Sequence, residues 1–263
     1  MAYEKNVLQH FAKEEKVFVE KILDICQQVE ETYSYRLTAF LNPRQDEIAH
    51  QIANHYQLQI FSSRNVVPTE HSRVIIAPAY YELEFQDFQI AAINLSYPRK
   101  FYTLSHSQVL GTFLHQLGIK REYLGDILLG DEELIVMLDQ KLSQMALQSI
   151  TKIARVPVKC VEYDWTLVQA PNEIPYSTKE VLVSSMRLDK LISVAFNLSR
   201  TTVGKLVETG QVKVGYVQTV QSSRVIEVGQ LISVRKYGRI QVNDCLGFSK
   251  QGKVKLQLDI VKT

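Results

Sequence analysis

Residues 186–214 read MRLDKLISVAFNLSRTTVGKLVETGQVKV, the most patterned stretch of the chain. Leu188, Leu191, Ile192 and Ala195 recur at helical spacing and give a first helix one apolar face. Arg187 and Lys190, three apart, share another face that points to solvent. A break at Phe196-Asn197-Leu198 leads to Ser199, a good N-cap, and a second helix with Val203, Leu206 and Val207 turned inward. Gly210 stops that helix. A strand meander is predicted next: VKV, a Gly215-Tyr216 turn and VQTV, then a Val228-Gly229 turn, LISVR over 231–235, a Tyr237-Gly238 turn and RIQV over 239–242.

Charge sets this region apart. The whole chain has 263 residues with 30 Lys+Arg and 28 Asp+Glu, a net of +2. Residues 1–183 hold 17 Lys+Arg against 23 Asp+Glu, a net of −6, whereas residues 184–263 hold 13 against 5, a net of +8. A basic segment of 80 residues is an electrostatic footprint for nucleic acid. Arg200 opens the second helix, where unpaired backbone N–H groups and the helix dipole favour phosphate. Arg187, Lys190, Ser199, Lys205 and Lys213 extend that candidate site, and Arg224, Arg235, Lys236 and Arg239 widen it from the strand side. Arginine forks grip phosphate oxygens in pairs, while lysines act as point charges. Asp189, an acid amid these bases, is expected to orient Arg187 or Arg200.

Upstream, the first 60 or so residues read as helical. Val17, Phe18, Ile22 and Ile25 follow near-helical spacing, and Asn42-Pro43 is a helix start followed by a stripe of Ile48, Ile52 and Tyr56. From about residue 72 the period changes. RVIIAPAY (73–80) and FQIAAINLSY (88–97) are strand-like, and SHSQVLGTFLHQLG (105–118) is a helix ended by Gly118. YLGDILL (123–129) and ELIVML (133–138) form a hairpin, DQKLSQMALQSI (139–150) a helix, and VPVKCVEY (156–163) a last strand. Without the first strand the order is βαββαβ, the ferredoxin-like arrangement of RNA-recognition motifs. Those motifs stack bases on aromatics in two central strands, and GDILLGDEELIVML (125–138) contains none. Lys120 and Arg121, in a helix–strand loop, are candidates for a second phosphate contact. Trp165 is expected to pack, and residues 166–182, with Pro171 and Pro175, to be a linker.

The 186–214 pattern resembles the S-four domain, a small RNA-binding αL module. The landmarks are Arg187-Leu188-Asp189, Ser199-Arg200, Gly210, Val212, Val214, Val228-Gly229 and Ile232. Many members carry Asn-Gly where this chain has Gly215-Tyr216 and Asp where it has Gln230, two changes in turns that remove no basic contact. With FLNPRQDEI (40–48), LGTFLHQLGIKREYLGDIL (110–128) and VSSMRLDKLI (183–192), nearly the whole chain resembles the YlmH family of bacterial RNA-binding proteins. The resemblance implies an α+β chain: a helical N-terminal domain (1–67), an RRM-like middle domain (68–165) and a C-terminal S-four-type domain (183–263). It also implies binding to rRNA or tRNA on the large ribosomal subunit during rescue of stalled translation, and a gene-neighbourhood link to cell division.

Other classes receive little support. No run of 18 apolar residues exists, and the start lacks the apolar core of a signal peptide, so a cytoplasmic protein without membrane insertion is expected. Cys26, Cys160 and Cys245 are far apart and odd in number, and no His, Glu and Cys set has metal spacing, so no metal or other cofactor is expected. Before residue 183 there is no GxGxxG, no GxxxxGK[ST] loop and no GxSxG elbow. The expected protein is non-catalytic. The competing expectation is a protein-interaction factor in cell division, and a third is an RNA-modifying enzyme.

Overall fold

The computed structural model describes residues 11–130, 133–169 and 176–262. The chain is α+β and divides into two compact units, mainly residues 16–172 and residues 173–263.

The first unit begins with α1 (Lys16–Thr32), which buries Val19, Ile22, Leu23, Cys26 and Val29 along one stripe. The short strand β1 (Arg36–Leu37) leads to α2 (Pro43–His55). Asn42 and Gln45 form a reciprocal cap at its start: the Gln45 N–H donates to Asn42 Oδ1 at 3.0 Å and the Asn42 N–H to Gln45 Oε1 at 3.1 Å. β2 (Gln59–Ser62) and β3 (Val74–Ala77) complete a three-stranded antiparallel sheet in the order β1-β3-β2. The N-terminal region, expected to be helical, therefore contains a sheet. Its central strand is the RVIIAPAY segment that the sequence reading assigned to the middle domain.

The reason lies in β3 itself, whose four residues are all buried. Val74 and Ile76 pack with α1 and α2, while Ile75 and Ala77 face the other way into a second core. A strand covered on both sides loses the polar alternation that marks a half-exposed one.

The second sheet is built from β4 (Ile90–Ser96), β5 (Leu124–Leu129), β6 (Leu134–Asp139) and β9 (Lys159–Tyr163). Between them lie α3 (His106–Gln116), α4 (Ser143–Ser149) and a small hairpin of β7 (Lys152–Ile153) and β8 (Val156–Pro157). The order β5-β6-β4-β9, all antiparallel, is the ferredoxin-like one. On one face Ile93, Leu95, Val136 and Leu138 pack against Val109 and Phe113 of α3 and Ala146 of α4. On the other, Ala92, Ile135 and Met137 lie under Phe40, Ile75, Phe88 and Trp165. Gly125 admits Phe40: a Cβ there would meet the Phe40 ring at 2.7 Å and Met137 Cβ at 3.0 Å.

Two polar clamps, one buried and one half-buried, join β3 and the segment before it to the second sheet. Arg73, preceding β3, reaches Asp139 at the end of β6, Nη2 to Oδ2 at 3.2 Å, with side-chain exposures of 7% and 9%. Its Nε donates to the Thr38 carbonyl at 3.0 Å and its Nη1 to that of Gln89 at 2.9 Å. Burial lowers the Arg73 pKa, and Asp139 opposes that shift. Asp126 of β5 accepts the backbone N–H groups of Glu70 and His71 and pairs with His71 Nδ1 at 2.7 Å.

The second unit opens with β10 (Ser177–Val183), in a stretch predicted as linker up to residue 182. There follow α5 (Leu188–Phe196), α6 (Arg200–Glu208), β11 (Val212–Val214), β12 (Val217–Gln218), β13 (Leu231–Val234), β14 (Gly238–Phe248) and β15 (Val254–Lys262). They form a six-stranded sheet ordered β10-β15-β14-β13-β11-β12. β10 is a strand because all seven of its residues pair with β15 across more than 70 positions of sequence, a partnership that no local signal encodes. Leu188, Leu191, Ile192, Val203 and Val207 of the helices share one core with Val212, Ile232, Ile240, Leu256 and Leu258 of the sheet. After β10, the two helices precede β11 to β15.

Candidate nucleic-acid interface

The site is built on the helix pair. Asn197 ends α5 with φ of 55°, a left-handed conformation that asparagine tolerates, and donates its N–H to the Ser193 carbonyl. The chain thereby turns sharply into Ser199, whose Oγ caps α6 by accepting the Thr202 N–H at 3.1 Å. The next two N–H groups, of Arg200 and Thr201, have no acceptor among the described residues.

The start of α5 is closed differently. The Leu188 N–H donates to the Arg224 carbonyl at 2.8 Å and the Asp189 N–H to that of Ser222 at 3.1 Å. The Ile226 N–H returns to the Met186 carbonyl at 2.8 Å, and Arg187 bridges Val225. The loop before β13 thus caps α5 with its backbone and brings Arg224 beside the helix.

Within this frame Arg187 is held by Asp189. Nε donates to Oδ1 at 3.0 Å and Nη2 to Oδ2 at 2.9 Å, a side-on fork that leaves Nη1 outside the pair. The Arg187 side chain is 42% exposed and that of Asp189 only 14%. Burial alone would raise the Asp189 carboxyl. The Arg187 fork, the Lys190 N–H and the positive charge of Arg200 outweigh burial and hold it below the usual carboxylate range. Asp189 therefore stays ionised, fixes one arginine and feels the field of a second. Lys190 is steadied by donating Nζ to Ser184 Oγ at 2.8 Å.

The sequence-predicted cations do not all converge. Arg187, Lys190, Ser199, Arg200 and Arg224 gather around the helix starts, and Lys205 is exposed further along α6. Lys213 and Arg239 occupy the outer face of the sheet, because their neighbours Val212, Val214 and Ile240 fill the core. Both pair with Ser233, which places them in one row, about 10 Å apart across two strand spacings. Arg235 and Lys236 lie in the turn before β14, and the Arg235 N–H donates to the Gln211 carbonyl. That position is at the far end of α6, roughly 13 Å along the helix from Arg200.

Lys120 and Arg121 belong to the first unit. Lys120 is exposed, while Arg121 donates Nη1 to the Leu124 carbonyl of its own loop. The base-stacking face of an RNA-recognition motif is closed here. Ala92, Ile135 and Met137 occupy its centre and are buried, and Trp165, edge-on to Phe88 at 6.0 Å, is packed as predicted. The sequence reading passed over Tyr97-Pro98-Arg99-Lys100-Phe101-Tyr102, whose alternation of rings and cations was visible without a structure. Among the described residues no group of three His, Cys, Asp or Glu is placed to hold a metal, and no helix is long and apolar enough to cross a membrane.

Comparison with known proteins places this geometry in a family. The model of the YlmH N-terminal region matches residues 14–81, and that of the YlmH RNA-binding domain matches residues 84–167. The "Ribosome-associated protein quality control protein P2" of Bacillus subtilis (strain 168) is 27% identical over 248 residues, covering 94% of this chain and 96% of that protein. The solved structure "Cell division protein ylmH from Streptococcus pneumoniae" is 35% identical with a TM-score of 0.55, covering 61% of this chain and 98% of that one. The chain belongs to the YlmH family.

Proposed function

We propose that this protein is a non-catalytic, cytoplasmic RNA-binding factor that docks on structured RNA of the large ribosomal subunit, rRNA or tRNA, in the rescue of stalled translation. One observation carries the reading: the Arg187–Asp189 fork beside Arg200, at a start of α6 where the Arg200 and Thr201 N–H groups have no acceptor among the described residues. An arginine already oriented by a carboxylate has less freedom to lose when it meets a phosphate. The net charge of +8 over residues 184–263 supplies long-range attraction. The matched RNA-binding domain and the name of the Bacillus subtilis relative support the same direction.

Gradient sedimentation tests this. The chain is expected to travel with large subunits at low salt and to leave them at high salt, because phosphate contacts release counterions. A double charge reversal at Arg187 and Arg200 is expected to leave the protein at the top of the low-salt gradient. A wild-type chain that stays at the top even in extracts with stalled translation overturns the proposal. That result favours a protein-interaction role in cell division, the process named for the Streptococcus pneumoniae relative.

A further inference from the structure

The ferredoxin-like sheet cannot read RNA through its usual face, yet the matched domain is described by RNA binding. Topology shows what it offers instead. Ser96 at the end of β4 pairs with Lys159 at the start of β9, and the β7–β8 hairpin leads directly into β9. The loop leaving β4 at this same end is Tyr97-Pro98-Arg99-Lys100-Phe101-Tyr102. One end of the sheet therefore gathers Arg99, Lys100, Lys152, Arg155 and Lys159. Lys100, Lys152, Arg155 and Lys159 are exposed, and none has a carboxylate partner among the described residues. Glu133, before β6, is a carboxylate near this end and hydrogen-bonds Tyr163.

The loop is built to present rings. Its backbone folds into a turn in which the N–H groups of Phe101 and Tyr102 donate to the Pro98 carbonyl at 3.0 and 3.2 Å. Arg99 lies over the Tyr97 ring at 5.0 Å and donates Nη1 to the Gly130 carbonyl at 2.7 Å, which ties the turn to the neighbouring strand connection. Leu104 anchors the other end in the core. Phe101 is 75% exposed and Tyr102 43% exposed, with the Lys100 ammonium 5.9 Å from the Phe101 ring centroid. Large rings held in water beside exposed cations match the two requirements of single-stranded nucleic acid: a flat face for a base and positive charge for the backbone. A duplex hides its base faces and would leave the rings unused.

We infer that the loop of residues 97–102, with Arg155 and Lys159, is a second RNA site that takes unpaired nucleotides, a base stacking on Phe101 or Tyr102 and phosphates meeting Lys100, Arg155 and Lys159. It rests on the RNA-binding reading above and adds a site separate from the α5–α6 one.

Fluorescence anisotropy with the full chain tests it, using a labelled unstructured oligouridine and an RNA duplex of equal length. Phe101→Ala/Tyr102→Ala is expected to weaken oligouridine binding by about tenfold or more, without changing the salt slope. Lys100→Gln/Arg155→Gln/Lys159→Gln should instead flatten that slope by about 2, at roughly 0.7 per lost single-strand contact. Duplex binding should survive both and fall with Arg187→Glu/Arg200→Glu. If the aromatic variant binds oligouridine within twofold of wild type, the site is wrong while the RNA-binding reading stands. Wild-type protein that binds neither RNA overturns both. Should the alanine pair fail to fold, Phe101→Leu/Tyr102→Leu decides: loss of oligouridine binding supports stacking, and wild-type binding overturns it.

Discussion

The four-stranded and the six-stranded antiparallel sheets each carry a helix pair on one face, and they differ in what lies on the other. In the ferredoxin-like sheet that second face is closed by Phe40, Ile75, Phe88 and Trp165. In the C-terminal sheet it carries Lys213 and Arg239 in one row. The same contrast recurs in two Arg–Asp pairs. Arg73–Asp139 is buried at 7% and 9% exposure and ties one sheet to another. Arg187–Asp189 leaves its arginine 42% exposed, so the acid orients a cation that still faces solvent. The same chemistry is locked inside the architecture in one place and left facing solvent in the other, and burial decides which.

The largest expected effect breaks the architectural pair. Asp139→Ala strands Arg73 as an uncompensated buried cation and should cost about 3–5 kcal/mol, read from the urea transition of the first unit. RNA affinity should change little per folded molecule. Arg187→Glu/Arg200→Glu is the mirror test: affinity for structured RNA should drop roughly 100-fold at low salt, while the second unit loses only about 1–2 kcal/mol, the cost of leaving Asp189 without its fork, and stays folded at the temperature of the binding assay. If lost binding merely tracks lost folding, Arg187 and Arg200 are not contacts.

Gly125→Ala sharpens the closed face. Its Cβ would press on the Phe40 ring, so the unit should lose about 1–3 kcal/mol through overpacking. Asp189→Ala should cost about 1 kcal/mol, seen as a lower midpoint for the second unit, because three hydrogen bonds vanish but one partner is well solvated.

The smallest effect concerns pH in the first unit. The Asp46–His50 hydrogen bond raises the His50 pKa, with burial opposing. Burial would raise the Asp46 carboxyl, but bonds from His50, Ser72 and Ser62 bring it below its ordinary value of 3.8. A raised histidine stabilises below its unfolded value of 6.5, and that contribution fades as pH climbs through the folded value. A lowered carboxyl stabilises above 3.8, and its contribution fades as pH falls through the folded value. Thermal unfolding should therefore show a slight loss on passing from pH 6 to pH 8, and His50→Gln should remove that loss.

Much of the site was readable along the chain because its signals are local. Ser199 caps its helix through a residue three positions on, and Asp189 orients an arginine two positions back, so spacing alone exposed both. The grouping of cations was less readable. Lys213 and Arg239 share a row only through the β11–β13–β14 register, and Arg235 stands at the far end of α6 from Arg200. Local spacing carries no information about which strand lies beside which.

The sequence by itself determined the α5–α6 pair, its basic surface, the β4–α3–β5–β6–α4–β9 succession and the packing role of Trp165. Each follows from caps, periodicity or charge acting within a few residues. Only the tertiary structure decided that β3 belongs with the N-terminal helices, that β10 pairs with β15, and that the ferredoxin-like face is closed. Those outcomes depend on partners tens of residues away: β3 is apolar on both sides because two layers meet there, and β10 becomes a strand only when β15 supplies its hydrogen bonds.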